Sequence, residues 1–100
     1  SKSVNNIEEV CSILSYSIKF GEQVMIDSCI KYIQQHSLSI IQHQTFIQHL
    51  SLQALLLIVQ NDLLSLSNQQ EIILFHSIVK WCDYQLQLKL RFVYFSIEKN

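Results

Sequence analysis

The chain has no proline and a single glycine, Gly21. Without proline, a long helix meets no obligatory breaker. With one glycine there is no material for a glycine-rich phosphate loop or a Gly-x-Ser-x-Gly elbow. Charge is scarce too: Asp, Glu, Lys and Arg make up 15% of the residues, against about 25% in ordinary soluble domains. Net charge is -1 and the seven Lys and Arg are scattered, with only Lys89 and Arg91 close together. Nucleic-acid binders carry a basic patch or stripe, so nucleic acid is not expected as a ligand. Unbroken apolar runs are also short. The longest is Ala54 to Val59, far below the ~20 residues that span a bilayer, and no signal peptide or lipidation pattern is visible. The first residue is Ser and not Met, so the chain is expected to be a processed or excised piece.

What is abundant is apolar surface. Hydrophobic residues form 49% of the 100 residues. A chain of this length makes one domain at most and buries roughly two thirds of its unfolded surface. Either an unusual share of side chains packs inward, or some apolar surface belongs against a partner or neighbouring domain. Cys11, Cys29 and Cys82 are an odd set, far apart among apolar residues. They read as reduced core thiols of an intracellular protein, cytoplasmic or nuclear, and not as a disulfide framework.

Helical periodicity organises the chain. Asn6 with Glu9 three residues on makes a capping-box pattern, and Glu8 and Glu9 suit the positive end of a helix dipole. Ile7, Val10, Cys11, Leu14 and Ile18 form one face. Gly21 closes this first helix, with Lys19 in its last turn. A second helix spans about Glu22 to Gln35, with Val24 or Met25, then Ile26, Cys29, Ile30 and Ile33 as its stripe. Asp27 and Lys31 form an acid-base pair on its outer side. The short join makes the two helices an antiparallel hairpin.

Short turns are expected at Ile40-Ile41 and at Phe46-Ile47, the latter capped by Thr45. Ser51 caps a helix from Leu52 to Gln60 whose face is Leu52, Leu55, Leu56 and Val59. Leu57 and Ile58 make it apolar nearly all round, which predicts a central position. Asn61-Asp62 stops it, and Leu63, Leu64 and Leu66 anchor an elbow. Ser67 with Gln70, or Asn68 with Glu71, caps the next helix, which runs to about Tyr84 with the stripe Ile72, Phe75, Ile78, Val79 and Cys82. Trp81 wedges between helices as core; the competing reading is an interface anchor. From Tyr84 on, alternation suggests a strand, whereas Leu86, Leu90, Val93 and Ile97 form a helical stripe. With no second strand to pair with, helix is favoured.

Catalytic and metal chemistry finds no support in this pattern. His36, His43, His49 and His76 are not spaced to bring two rings onto one helical face, as a zinc site requires, and they read as surface or cap residues. The cysteines fall on inward faces, where thiols stay protonated and inert. The Glu8-Glu9 pair is explained by helix capping. No cofactor is implied and no enzyme is expected.

The ordered set of pieces resembles the BACK domain, the all-helical module that follows the BTB domain in BTB-Kelch and related proteins. The resemblance covers roughly Asn5 to Tyr84. A helix and a Glu-led, Ile-rich helix appear as Val10 to Gln35, joined at Gly21-Glu22. The Phe, Leu-Ser and spaced-leucine phrase appears as Phe46, Leu50-Ser51, Leu52, Leu55 and Leu56. The Asp-Leu elbow is Asp62-Leu63, and the helix with Phe, two aliphatics and Trp is Phe75, Ile78, Val79 and Trp81. The family's Ser-Glu lead into this helix is replaced by the longer Ser67-Asn68-Gln69-Gln70-Glu71.

The resemblance implies an all-α bundle of about five to seven orthogonal or antiparallel helices. It places a BACK-like domain at residues 5–84 and a helical extension at 85–100, with Leu14, Ile30, Phe46, Leu55, Leu56, Phe75, Ile78 and Trp81 as core. It also implies a non-enzymatic spacer of cullin-3 ubiquitin-ligase adaptors. In such proteins BTB binds the cullin and dimerises, and a further domain holds the substrate. The first two BACK helices complete the cullin contact, a region that would lie within Asn5 to Ile33. The alternative is a scaffold or transcription-cofactor interaction module without a cullin. A third reading is an unrelated helical bundle that dimerises through its apolar face.

Overall fold

The computed structural model describes residues 3–99, which form six helices: α1 (Val10–Phe20), α2 (Gln23–Gln35), α3 (Ser37–Ile41), α4 (Gln44–Gln48), α5 (Leu52–Gln60) and α6 (Asn68–Glu98). No strand occurs among the described residues. The all-α bundle expected from the periodicity is the observed fold.

Local chemistry sets the helix ends. Asn6 starts a turn ahead of α1: its Oδ1 accepts the Glu8 N–H at 2.9 Å, and the helix proper begins at Val10. Gly21 takes the left-handed conformation, φ 68°. There the Glu22 N–H reaches the Ser17 carbonyl and the Gly21 N–H the Ile18 carbonyl. This pair of bonds is the Schellman closure. It turns the chain within two residues and lays α2 against α1. α5 ends the same way. Asp62 is left-handed, φ 51°, and Leu63 N–H bonds to the Ile58 carbonyl at 3.0 Å. Ser51 Oγ caps α5 by accepting the Ala54 N–H at 3.1 Å. For α6 the register is Ser67 with Gln70, a full capping box. The short α4 is capped by His43, whose Nδ1 accepts the Thr45 N–H at 3.2 Å, and not by Thr45 itself. Asp27 accepts from Gln23 Nε2 at 2.9 Å on the outer side of α2.

α1 packs on α2, α4 and α5, and α6 lies across α3 and α4. The core between them holds Val10, Cys11, Leu14, Cys29, Ile33, Phe46 and Trp81 among others. Of the residues expected inside, Leu14, Phe46, Leu55 and Trp81 are buried. Ile30 is half-buried, and Ile78 is a partly buried neighbour of the core. Leu56 and Phe75 are corrections, 41% and 64% exposed. Cys82, expected on an inward face, is exposed as well. The cause is common to all three. α5 turns Ala54, Leu55 and Ile58 inward, and α6 turns Ser77 and Trp81 inward. Leu56 follows Leu55, Phe75 lies two residues before Ser77, and Cys82 follows Trp81, so each is rotated by about 100° or more off the buried arc. On α6 the buried arc is fixed by Ser77, bonded to the Ile41 carbonyl, and by Trp81, bonded to the Leu50 carbonyl.

Serine hydroxyls stitch the elements. Ser15 Oγ donates to the Cys11 carbonyl and accepts the Ser51 N–H at 2.9 Å. Ser37 Oγ donates to the Ile33 carbonyl and accepts the Ser65 N–H at 2.9 Å, holding the elbow 61–67 on α3. Ser77 Oγ donates to the Ile41 carbonyl at 2.6 Å. Leu64 and Leu66 pack the elbow onto the core. α6 then runs on without a break through Tyr84 and Gln85, where the pattern change had placed a boundary. Residues 86–99 of α6 and its end are exposed, so the helix projects beyond the body and makes the molecule 48 Å long.

Candidate functional site

The region expected to carry a protein contact, Asn5 to Ile33, is the α1–α2 hairpin with its leading turn. Because Val10, Cys11, Leu14 and Ser17 face inward, the neighbouring arc of α1 carries Ile13 and Tyr16 to the side. Met25 comes up from α2, since Met25 and not Val24 packs against the core. Ile13, Tyr16, Ser17 and Met25, with Ser12 and Glu22, line a groove of about 500 Å³. Glu22 is its one charged residue. The Tyr16 and Phe20 rings meet at a tilt of 41° with centroids 4.5 Å apart, and Lys19 Nζ lies 5.6 Å from the Phe20 ring centre. Tyr16, Phe20 and Val24 are 61%, 56% and 74% exposed. Exposed large apolar side chains grouped around a groove are the composition that protein contact surfaces share.

A second groove, about 740 Å³, lies between α5, the elbow and the start of α6. Val59, Leu64, Leu74 and Phe75 form its apolar walls, and Asp62 and Glu71 supply its charge.

Neither groove assembles reactive groups. Cys11 and Cys29 are free and buried. Burial pushes the Cys11 thiol up from 9.0 to about 11, with the nearby Cys29 adding to the rise and a hydrogen bond with Thr45 opposing it. Burial likewise pushes Cys29 up to about 11. Both thiols are therefore protonated and unreactive at neutral pH. The histidines have separate local partners. His43 caps α4, His36 stacks on Tyr32 at 4.3 Å, and His76 lies beside Phe75. His49 Nδ1 meets Ser12 Oγ at 3.1 Å. That exposed Ser-His contact, which the sequence did not announce, ties α1 to the end of α4. Among the described residues no three His, Cys, Asp or Glu gather to hold a metal ion. No helix there is long and apolar enough to cross a membrane. Every buried side-chain nitrogen and oxygen among them has a hydrogen-bond partner, so none is left aimed at a ligand.

The sequence matches the family described as "BACK: BTB And C-terminal Kelch" over residues 10–94. The chain belongs to the BACK family. No curated protein and no solved structure matches it. The match starts at the first residue of α1 and ends within the projecting part of α6. Membership makes this BACK domain a helical protein-interaction module of the BTB-Kelch kind, a family without catalytic function of its own. Residues that the sequence missed are the serine stitches Ser15, Ser37 and Ser77. Their signal was present as serines at inward helical positions, where a hydroxyl survives only with a carbonyl or amide to pair with.

Proposed function

We propose that this BACK domain is the spacer of a cullin-3 ubiquitin-ligase adaptor, and that the α1–α2 groove is its cullin contact. BTB and substrate-binding domains of the parent protein would flank it, with BTB supplying the dimer and the rest of the cullin surface, in the cytoplasm or nucleus. The observation that carries the reading is the groove of Ile13, Tyr16 and Met25 with its exposed Tyr16–Phe20 pair. It falls inside the two helices that complete the cullin contact in such adaptors, and it is apolar with a single carboxylate, suited to an apolar segment of a partner. The mechanism is geometric. A serine-stitched helical body holds substrate and charged enzyme at a set distance, and no bond is made or broken within it.

The test is binding of the cullin-3 N-terminal domain to the parent protein with its BTB domain in place. Tyr16→Glu and Ile13→Glu should each weaken binding by at least about tenfold, about 1.4 kcal/mol, while the helical circular dichroism of the domain is kept. Failure of cullin-3 to bind the parent protein would refute the adaptor reading and favour a scaffold or transcription-cofactor module. Binding that ignores both variants would displace the contact from this groove.

A further inference from the structure

The longest unpartnered feature is one side of α6. Ile72, Phe75, Val79 and Cys82 follow one another at spacings of three, four and three. Past Tyr84, the residues Leu86, Leu90, Val93 and Ile97 continue at four, three and four. All of them are exposed, from 44% at Val79 to 68% at Ile97 among those with a stated exposure. Steps of three and four, with two fours in succession at Cys82, Leu86 and Leu90, keep the stripe on one side of the helix, as in the seam by which one helix packs along another. The stripe lies about 160° around α6 from the buried arc of Ser77 and Trp81, nearly opposite it. It is separate from Leu88, Phe92 and Phe95, which prolong the core-facing arc beyond the body.

The stripe matches itself when reversed. Turned about Tyr84, Cys82 meets Leu86 and Phe75 meets Val93, while Val79 and Ile72 come within one residue of Leu90 and Ile97. Three of these four layers set a small side chain against a large one, as facing positions of a packed helix pair require. Side chains of this size, half to two-thirds exposed, present roughly 100 Å² each. The whole stripe therefore offers roughly 800 Å² per copy, the half-share of a stable interface. A two-fold contact is self-complementary by construction, with each residue meeting its mirror position. The body flanks the first half of α6, where Phe75 also lines the groove beside α5 and the elbow, and residues 86–98 project from it, so the two bodies of an antiparallel pair fall at opposite ends.

We infer that a second copy of this chain is the partner of the α6 stripe, in an antiparallel helix pair centred on Tyr84. This pairing is independent of the cullin contact, which concerns α1 and α2. It is tested on the 100-residue chain by sedimentation equilibrium up to on the order of 100 μM, within the micromolar-to-picomolar span of interfaces of this size. The expected mass is twice the monomer's 11.7 kDa. Val79→Glu and Leu86→Glu, both at exposed positions, should return the monomer mass with the helical spectrum kept, whereas Leu88→Glu should leave the dimer intact. For direction, Leu86→Cys beside the native Cys82 should give a covalent dimer on mild oxidation, and the same variant with Cys82→Ser should not. A monomer at every concentration overturns the inference, as does a dimer insensitive to Val79→Glu and Leu86→Glu. Covalent dimer from the Leu86→Cys, Cys82→Ser chain overturns the antiparallel register.

Discussion

Trp81 is 7% exposed in a helix whose other large side chains stand mostly in solvent. Its ring packs into the core, and its Nε1–H donates to the Leu50 carbonyl at 2.8 Å. That bond ties α6 to the turn between α4 and α5, so Trp81 joins packing to a backbone group that would otherwise be buried without a donor. Trp81→Ala should cost about 3–5 kcal/mol of stability. Trp81→Phe keeps much of the packing but strands the carbonyl, at a cost of about 1–3 kcal/mol. Urea melts of the two variants measure both, and a loss near zero for Trp81→Ala would place the ring outside the core. The buried thiols make a second residue-scale prediction. Each is charged only when deprotonated, and burial raises both pKa values from 9.0 to about 11. Their contribution is therefore fully present below pH 9 and is lost as pH rises toward 11. The loss is about 3 kcal/mol per thiol at most, since each pH unit between the unfolded and folded pKa values is worth about 1.4 kcal/mol. Melts from pH 7 to 11 should decline over that window, and less so in Cys11→Ala or Cys29→Ala, each compared with its own stability at pH 7.

At the scale of elements, caps were legible and faces only in part. Gly21, Ser51 and the Ser67–Gln70 box are local chemistry. A left-handed turn favours glycine and a helix start favours a side-chain acceptor such as a serine hydroxyl, whatever lies across the core. The α1 stripe was legible as well, because Val10, Cys11 and Leu14 are flanked by serine and glutamate. α5 and α6 were not. Where Leu55, Leu56, Leu57 and Ile58 succeed one another, apolar character no longer selects a side, and the packing of α5 on α1 and of α6 on α3 and α4 decides it. The α1–α2 hairpin was legible as an element and its groove was not, since Ile13 and Tyr16 are side-arc positions that line a groove only once Met25 packs beside them. Gly21 gives the clean element-scale prediction. A Cβ there would meet nothing within 4 Å, so the cost of Gly21→Ala is conformational alone, about 1–2 kcal/mol for an L-residue held left-handed. Gly21→Asn should cost less, since Asn enters that conformation more readily. Equal melting midpoints for wild type and Gly21→Ala would mean that the hairpin turn is not held at φ 68°.

For the whole molecule, stability is unevenly distributed. The body from Val4 to Tyr84 carries the buried core and the serine stitches, whereas α6 beyond Gln85 has no buried residue. An isolated helix of that length is marginal in water, because helix formation draws most of its stability from packing of an apolar face. Amide hydrogen exchange reads this directly, since local opening ranges from near zero to the global free energy. At dilutions where the chain is monomeric, amides of residues 86–98 should exchange orders of magnitude faster than those around Leu14, Phe46 and Trp81. Raising the concentration should slow residues 86–98 selectively if a second copy covers the α6 stripe, because a partner that binds the ordered helix stabilises it by mass action. The core amides, already limited by global opening, serve as the internal reference. Protection of residues 86–98 equal to the core in the monomer would mean that the projecting helix is held by the body itself, contrary to its exposure. Protection that stays low at every concentration would leave the stripe uncovered by a second copy.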